Sequence, residues 1–202
     1  MTGLIAARHL EQFDANKPFA VDLGCSLGAT VQAILAQTDV ADVTVLGVDN
    51  SAAMIERAQA VNNDSRATYV EGDLLAAETL ERCRGAGVIT LNFVLQFIDP
   101  EQRGETLAEL RQALAPGGML ILSEKVKDLD ASRHEYFDAT HLAWKRANGY
   151  SELEVSQKRS ALENVMRVDD ETTHIQRLQD AGFDHVMQWY KCMNWASFIA
   201  WV

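Results

Sequence analysis

Over the first 125 positions, short apolar runs bounded by turn residues alternate with segments of helical period. Residues 19–23, 43–48, 67–70, 87–93 and 119–123 are too short for helices and nearly continuous in apolar character, as strands buried on both faces are. Between them, residues 4–13, 29–37, 51–61 and 101–114 repeat apolar positions at helical spacing. Ser51 is a suitable N-cap for the third helix, and Ala115-Pro116-Gly117-Gly118 stops the fourth. Strand-then-helix units in this order predict an α/β fold built on a doubly wound parallel sheet. The pattern then changes. Residues 131–165 keep a helical period with no strand, whereas 185–202 alternate around Lys191-Cys192-Met193-Asn194, the signature of two strands joined by a tight connection.

The first strand runs through Asp22-Leu23 into Gly24-Cys25-Ser26-Leu27-Gly28, and the second ends at Asp49-Asn50. Glycines after a first buried strand let a ligand approach the backbone, and an acid at the end of the second strand is where ribose hydroxyls are held. Ser26 stands where dinucleotide-binding folds place a glycine for pyrophosphate, so a phosphate-free ligand of the S-adenosylmethionine type fits better than a dinucleotide. Asp22 lies near the expected place of that ligand's ammonium group. The corresponding architecture is the Rossmann-like class I S-adenosylmethionine-dependent methyltransferase fold. It has a mostly parallel seven-stranded sheet with a C-terminal β-hairpin. A helical insertion after strand five, about residues 126–168, lies over the carboxyl ends of the strands. Residues 1–202 form a single domain in this reading.

Charge and cysteine content narrow the function classes. A net charge of −11, from 29 acidic and 18 basic side chains, opposes direct binding of nucleic acid or an anionic membrane surface. No run of 18 consecutive apolar residues is present, nor is the start of the chain a secretory signal, so a cytoplasmic location is expected. Cys25, Cys83 and Cys192 have no paired spacing and are expected to be reduced thiols.

Asp49 and Asp73 both fall at predicted strand ends on one side of the sheet. Each either accepts hydrogen bonds from a ligand, ribose at Asp49 and adenine at Asp73 with Leu74, or caps the helix that follows. Asn92 is an amide in an apolar run, where a buried polar group needs a partner. His134, Asp138 and His141 share a helix face, yet no metal is expected, because the set lacks a fourth ligand and the chemistry needs no Lewis acid. Trp189, Trp195 and Trp201 are expected in the core or at a subunit interface.

Several longer motifs point further. Asp22-Leu23-Gly24-Cys25-Ser26-Leu27-Gly28-Ala29, Val48-Asp49-Asn50-Ser51, Glu71-Gly72-Asp73, Leu91-Asn92-Phe93-Val94-Leu95-Gln96-Phe97, Leu122-Ser123-Glu124-Lys125 and the block from Lys145 to Met166 resemble the carboxy-S-adenosylmethionine synthase family. The glycine loop and acidic strand ends are shared with ordinary methyltransferases. The Phe-Val-Leu-Gln-Phe run and the block ending Glu163-Asn164-Val165-Met166 discriminate more sharply.

The resemblance implies conversion of S-adenosylmethionine and prephenate to carboxy-S-adenosylmethionine and phenylpyruvate. It implies cofactor contacts at Gly24, Cys25, Ser26, Asp49, Asn50, Asp73, Leu74 and Asn92. Arg159 matches the arginine that grips the added carboxylate, a task suited to a guanidinium fork. A homodimer is implied too, with the product passing to a separate carboxymethyltransferase that modifies the wobble uridine of transfer RNA. Family members begin with a further segment of several dozen residues; nothing before Thr2 corresponds to it, so a truncated or divergent short form with a less enclosed site is expected. The alternatives at this stage are a methyltransferase of a small acidic metabolite and a catalytically silent cofactor-binding protein.

Overall fold

The computed structural model describes residues 1–13, 17–154, 156–157 and 165–202. Its sheet has seven strands in the order β3-β2-β1-β4-β5-β7-β6. The elements are α1 (Thr2–Gln12), β1 (Phe19–Leu23), α2 (Ala29–Leu35), β2 (Thr44–Asp49), α3 (Ala52–Val61), β3 (Ala67–Glu71), α4 (Ala77–Arg82) and β4 (Ala86–Asn92). After a 3-10 turn (Leu95–Phe97) come α5 (Arg103–Ala113), β5 (Leu114–Lys125), α6 (Ala131–Ala147), α7 (Glu171–Asp180), β6 (His185–Cys192) and β7 (Trp195–Trp201).

The pairs β1/β2, β1/β4, β2/β3 and β4/β5 are parallel, whereas β7 runs antiparallel to both β5 and β6. The sheet is therefore mixed, with the predicted terminal hairpin at one edge. The near-continuous apolar character of β1, β2, β4 and β5 follows from burial on both faces, whereas the edge strand β3 buries only Tyr69. Along β5, Met119 and Ile121 enter one core with Leu10 of α1 and Ile34 of α2. Leu120 and Leu122 enter the other, with Leu107 of α5, Leu178 of α7 and Phe198 of β7.

One strand start and two short elements stand out against the sequence expectation. β5 begins at Leu114, because that residue already pairs with Ala86 ahead of a register shift; the Pro-Gly-Gly stretch that reads as a helix stop lies within this strand. α4 and α7 were not anticipated from periodicity. α4 is a six-residue helix, and α7 buries only His174 and Leu178. α7 does carry a start signal, since the Asp170 carboxylate accepts from the Thr173 amide at 3.0 Å.

α6 docks at the carboxyl end of β5. Asp138 accepts from Lys125 Nζ at 3.4 Å and Asn194 Nδ2 at 3.1 Å, and the His141 ring meets Trp195 edge-on at 4.4 Å. No residue of α6 is buried. Trp189 and Trp201 are half-buried against the α1/α2-side core. No helix among the described residues is long and apolar enough to cross a membrane.

Candidate active site

The loop after β1 is shaped by two glycines. Gly24 has φ of +73°, and a Cβ there would lie 2.3 Å from Val94 Cγ2. Gly28, at φ +80°, caps α2, and a Cβ there would meet the Tyr69 hydroxyl at 2.5 Å. Left-handed backbone and close neighbours together make any side chain at either position strained. Ser26 also adopts positive φ, at 49°, and its amide donates to Asp49 Oδ2 at 2.8 Å. The acid at the end of β2 thus fixes the loop at the end of β1.

The second Asp49 oxygen accepts from the Ser51 amide at 3.0 Å, and Ser51 Oγ caps α3 by accepting from Met54. Asp73 similarly accepts from the Leu75 amide at 2.9 Å. Both carboxylates have local turn-forming roles, yet both line the same cavity. A carboxylate offers about four acceptor sites, so these backbone bonds leave lone pairs for ligand hydroxyl or amino groups.

That cavity has a volume of about 550 Å³ and opens at the carboxyl ends of β1 to β4. Gly24, Ser26, Asp49, Asn50, Asp73, Leu74 and Asn92 line it, joined by Phe93, Val94, Phe97, Ile98, Asp99 and Gln102. Cys25 is not in the wall. Its amide donates to Val48 O at 3.0 Å, and burial pushes its buried thiol up to about 12. Arg159 lies outside the described residues. Of the insertion's described residues, none lines the cavity.

The β4-side wall was not assigned a role from sequence, although its position was available: residues directly after Asn92 must emerge at the same sheet end as Gly24 and Asp49. Phe93 takes φ of +62°, costly for an aromatic residue by about 1–2 kcal/mol. Two sets of bonds hold it there. Its amide donates to Ser123 O at 2.7 Å, and the buried Glu124 carboxylate accepts from the Val94, Leu95 and Gln96 amides at 3.0, 2.8 and 3.1 Å. Burial raises the Glu124 carboxyl to about 8, opposed by these three amides and by Arg103.

Beneath the glycine loop, Asp22 is buried and accepts from Thr90 Oγ1 at 2.5 Å. Burial raises it to about 7 against the pull of the Thr90 and Thr30 hydroxyls, with Asp49 adding to the rise. Asn92 Nδ2 donates to Thr30 Oγ1 at 3.2 Å, tying the end of β4 to the start of α2. His134, Asp138 and His141 do not converge on a common point, and no group of three or more His, Cys, Asp or Glu among the described residues is placed to hold a metal ion.

A methyltransferase-domain profile matches residues 20–118, the segment that builds this cavity. The carboxy-S-adenosyl-L-methionine synthase of Stutzerimonas stutzeri is 47% identical over 204 residues, a match covering 98% of this chain and 80% of the relative. The protein of the same name from Pseudomonas fluorescens Pf0-1 is 46% identical over 206 residues, with the same coverage of 98% and 80%. The chain belongs to the carboxy-S-adenosyl-L-methionine synthase family. It is accordingly a transferase of the S-adenosyl-L-methionine-dependent class. Solved structures agree on the fold. The CurJ carbon methyltransferase superposes with a TM-score of 0.71 at 18% identity, covering 100% of this chain and 54% of that one. Human N-acetylserotonin methyltransferase, solved with its cofactor, gives 0.63 at 17% identity, covering 98% and 51%.

Proposed function

We propose that the chain converts S-adenosyl-L-methionine and prephenate to carboxy-S-adenosyl-L-methionine and phenylpyruvate. The observation that carries this reading is the cavity at the strand ends, ringed by the glycine loop, Asp49, Asp73 and Asn92, on a chain with synthase relatives along almost its whole length. Its volume lies within the roughly 300–1,000 Å³ usual for small-molecule sites. The Gly24 cradle suits the methionine moiety, with buried Asp22 beneath it for the ammonium group. Asp49 and Asn50 take the ribose hydroxyls, and Asp73 and Leu74 meet the adenine. Cys25 contributes through its place in the glycine loop, and Asn92 closes the β4 side.

A methyl carbon on a sulfonium is a weak acid, so carboxylation requires a carbanion formed away from water and beside a source of CO2. Prephenate supplies both needs. As its ring aromatises, the ring carboxylate leaves as CO2 and the ring hydroxyl leaves as hydroxide. The hydroxide takes the methyl proton and becomes water, and the carbanion then adds to CO2. The protein's task is positioning, with Arg159 binding the new carboxylate through two parallel hydrogen bonds.

The family resemblance supports a cytoplasmic homodimer that hands its product to a separate transfer RNA carboxymethyltransferase. The net charge of −11 argues against this chain holding the RNA itself. The test is turnover with prephenate labelled in its ring carboxylate. Label in the sulfonium product supports the scheme, and unlabelled carboxylated product or methyl transfer alone contradicts it.

A further inference from the structure

Between β4 and α5 the chain turns with its polar anchors inward and its aromatic side chains outward. Leu95 and Gln96 are buried, whereas Phe93 and Phe97 on either side of them are 44% and 47% exposed, and both line the cavity. Two completely buried ionisable side chains hold this turn from behind. Glu124 accepts from the Val94, Leu95 and Gln96 amides, and Arg103 donates from Nε to Ile98 O at 3.0 Å and from Nη2 to Gln96 O at 3.2 Å, with Nη1 on Asp169 Oδ2 at 2.6 Å. A buried ionisable group is retained only where its polar atoms are matched. Here the matching falls largely on the backbone of one short turn, in which Phe93 also keeps its positive φ. Strain held by buried anchors clusters at ligand sites, and what these anchors present to the cavity is the pair of rings.

The position of the rings selects their occupant. A Cβ on Gly24 would lie 2.3 Å from Val94 Cγ2, so the turn abuts the loop proposed to cradle the methionine moiety. The proposed adenine contact, Asp73, follows β3, and β2 and β1 separate that strand from β4. A molecule resting on Phe93 and Phe97 therefore stands beside the sulfonium end of the cofactor, where a carboxyl donor has to be for the transfer. Charge points the same way. Among the described residues the cavity wall carries Asp49, Asp73 and Asp99 and no lysine or arginine. Those acids suit a cationic cofactor, and they leave a second substrate with two carboxylates only its ring to lay against this wall.

We propose that Phe93 and Phe97 form the subsite for the six-membered ring of the second substrate, packing against its unsaturated face and holding its ring carboxylate beside the cofactor's methyl group. The inference rests on the synthase reading above and extends it to the placing of prephenate. Neither aromatic side chain takes part in making or breaking bonds.

Steady-state turnover and calorimetric titration with S-adenosyl-L-methionine, both on the full chain, test the assignment. Phe93→Leu and Phe97→Leu keep apolar bulk and remove the aromatic face. Each is expected to lower kcat/KM for prephenate about 3- to 10-fold, the scale of one aromatic contact, while S-adenosyl-L-methionine affinity stays within about 2-fold. Phe97 lies outside the positive-φ region, so Phe97→Leu serves alone if Phe93→Leu does not fold. Phenylpyruvate should inhibit the wild-type chain more strongly than pyruvate, which has the acid group without the ring, and that preference should shrink in both variants. Equal losses for prephenate and S-adenosyl-L-methionine, or unchanged prephenate turnover in either folded variant, would overturn the proposal while the synthase reading stands. A wild-type chain that turns over no prephenate would overturn the synthase reading, and the proposal with it.

Discussion

The two sides of the carboxyl end of the sheet are built on opposite principles. Around β1 to β4 the loops are held by buried or half-buried acids, with Asp49 fixing the glycine loop and Glu124 collecting three amides of the β4-side wall. Across β5, α6 buries no residue and meets the body through Asp138 and His141. The contrast teaches that the cofactor wall is preorganised by interactions that an unliganded chain already makes. α6, which buries none of its residues, adds little to stability.

Substitutions at either side sharpen this division. The largest effect is expected in the shared core: Phe198→Ala, at a completely buried position, should cost about 3–5 kcal/mol in a denaturant melt. Asp49→Ala removes the acceptor for the Ser26 and Ser51 amides together with the proposed ribose contact. Calorimetry should show S-adenosyl-L-methionine affinity falling about 10- to 100-fold, as expected for loss of hydrogen bonds to a charged group. At the small end, Trp144→Ala on α6, where the side chain is 53% exposed, should move stability by no more than about 0.5 kcal/mol. A loss as large as that of the core variant would erase the contrast.

Between these lies a dependence on pH. Burial raises Asp22 from 3.8 to about 7 and Glu124 from 4.5 to about 8, so the folded chain holds protons that the unfolded chain releases. Where the native state binds more protons, stability falls as pH rises. The stability these two buried acids contribute is therefore full below pH 3.8 and is lost progressively up to about pH 8. Denaturant midpoints between those limits measure the slope, and Asp22→Asn should flatten it. In the same variant cofactor affinity should drop, since the amide offers no charge to the ammonium group proposed to sit above it.

Much of this was legible in the chain. β1, β2, β4 and β5 announce themselves because burial on both faces demands uninterrupted apolar residues, and the hairpin by its alternation around Lys191 to Asn194. Strand boundaries put Gly24, Asp49, Asp73 and Asn92 at one sheet end, the family resemblance adds Ser26, Asn50 and Leu74, and the cavity gathers all of them there. Cys25 shares the loop, but its side chain packs into the α1/α2-side core and not into the cavity wall. Arg159 lies outside the described residues, so its role stands on the family resemblance. What could not be read is the polar scaffold beneath. Arg103 and Asp169 are 66 positions apart, and Glu124 meets amides 28 to 30 positions earlier. No local period encodes such pairings. The short α4 and the sparsely buried α7 were missed for a related reason, since too few apolar positions mark their inner faces.

The most direct test of the central claim is the mass of the small molecule retained by the purified chain after incubation with S-adenosyl-L-methionine and prephenate. The expected species is a sulfonium heavier than S-adenosyl-L-methionine by one CO2. Retention of S-adenosyl-L-methionine or S-adenosylhomocysteine alone would contradict the claim.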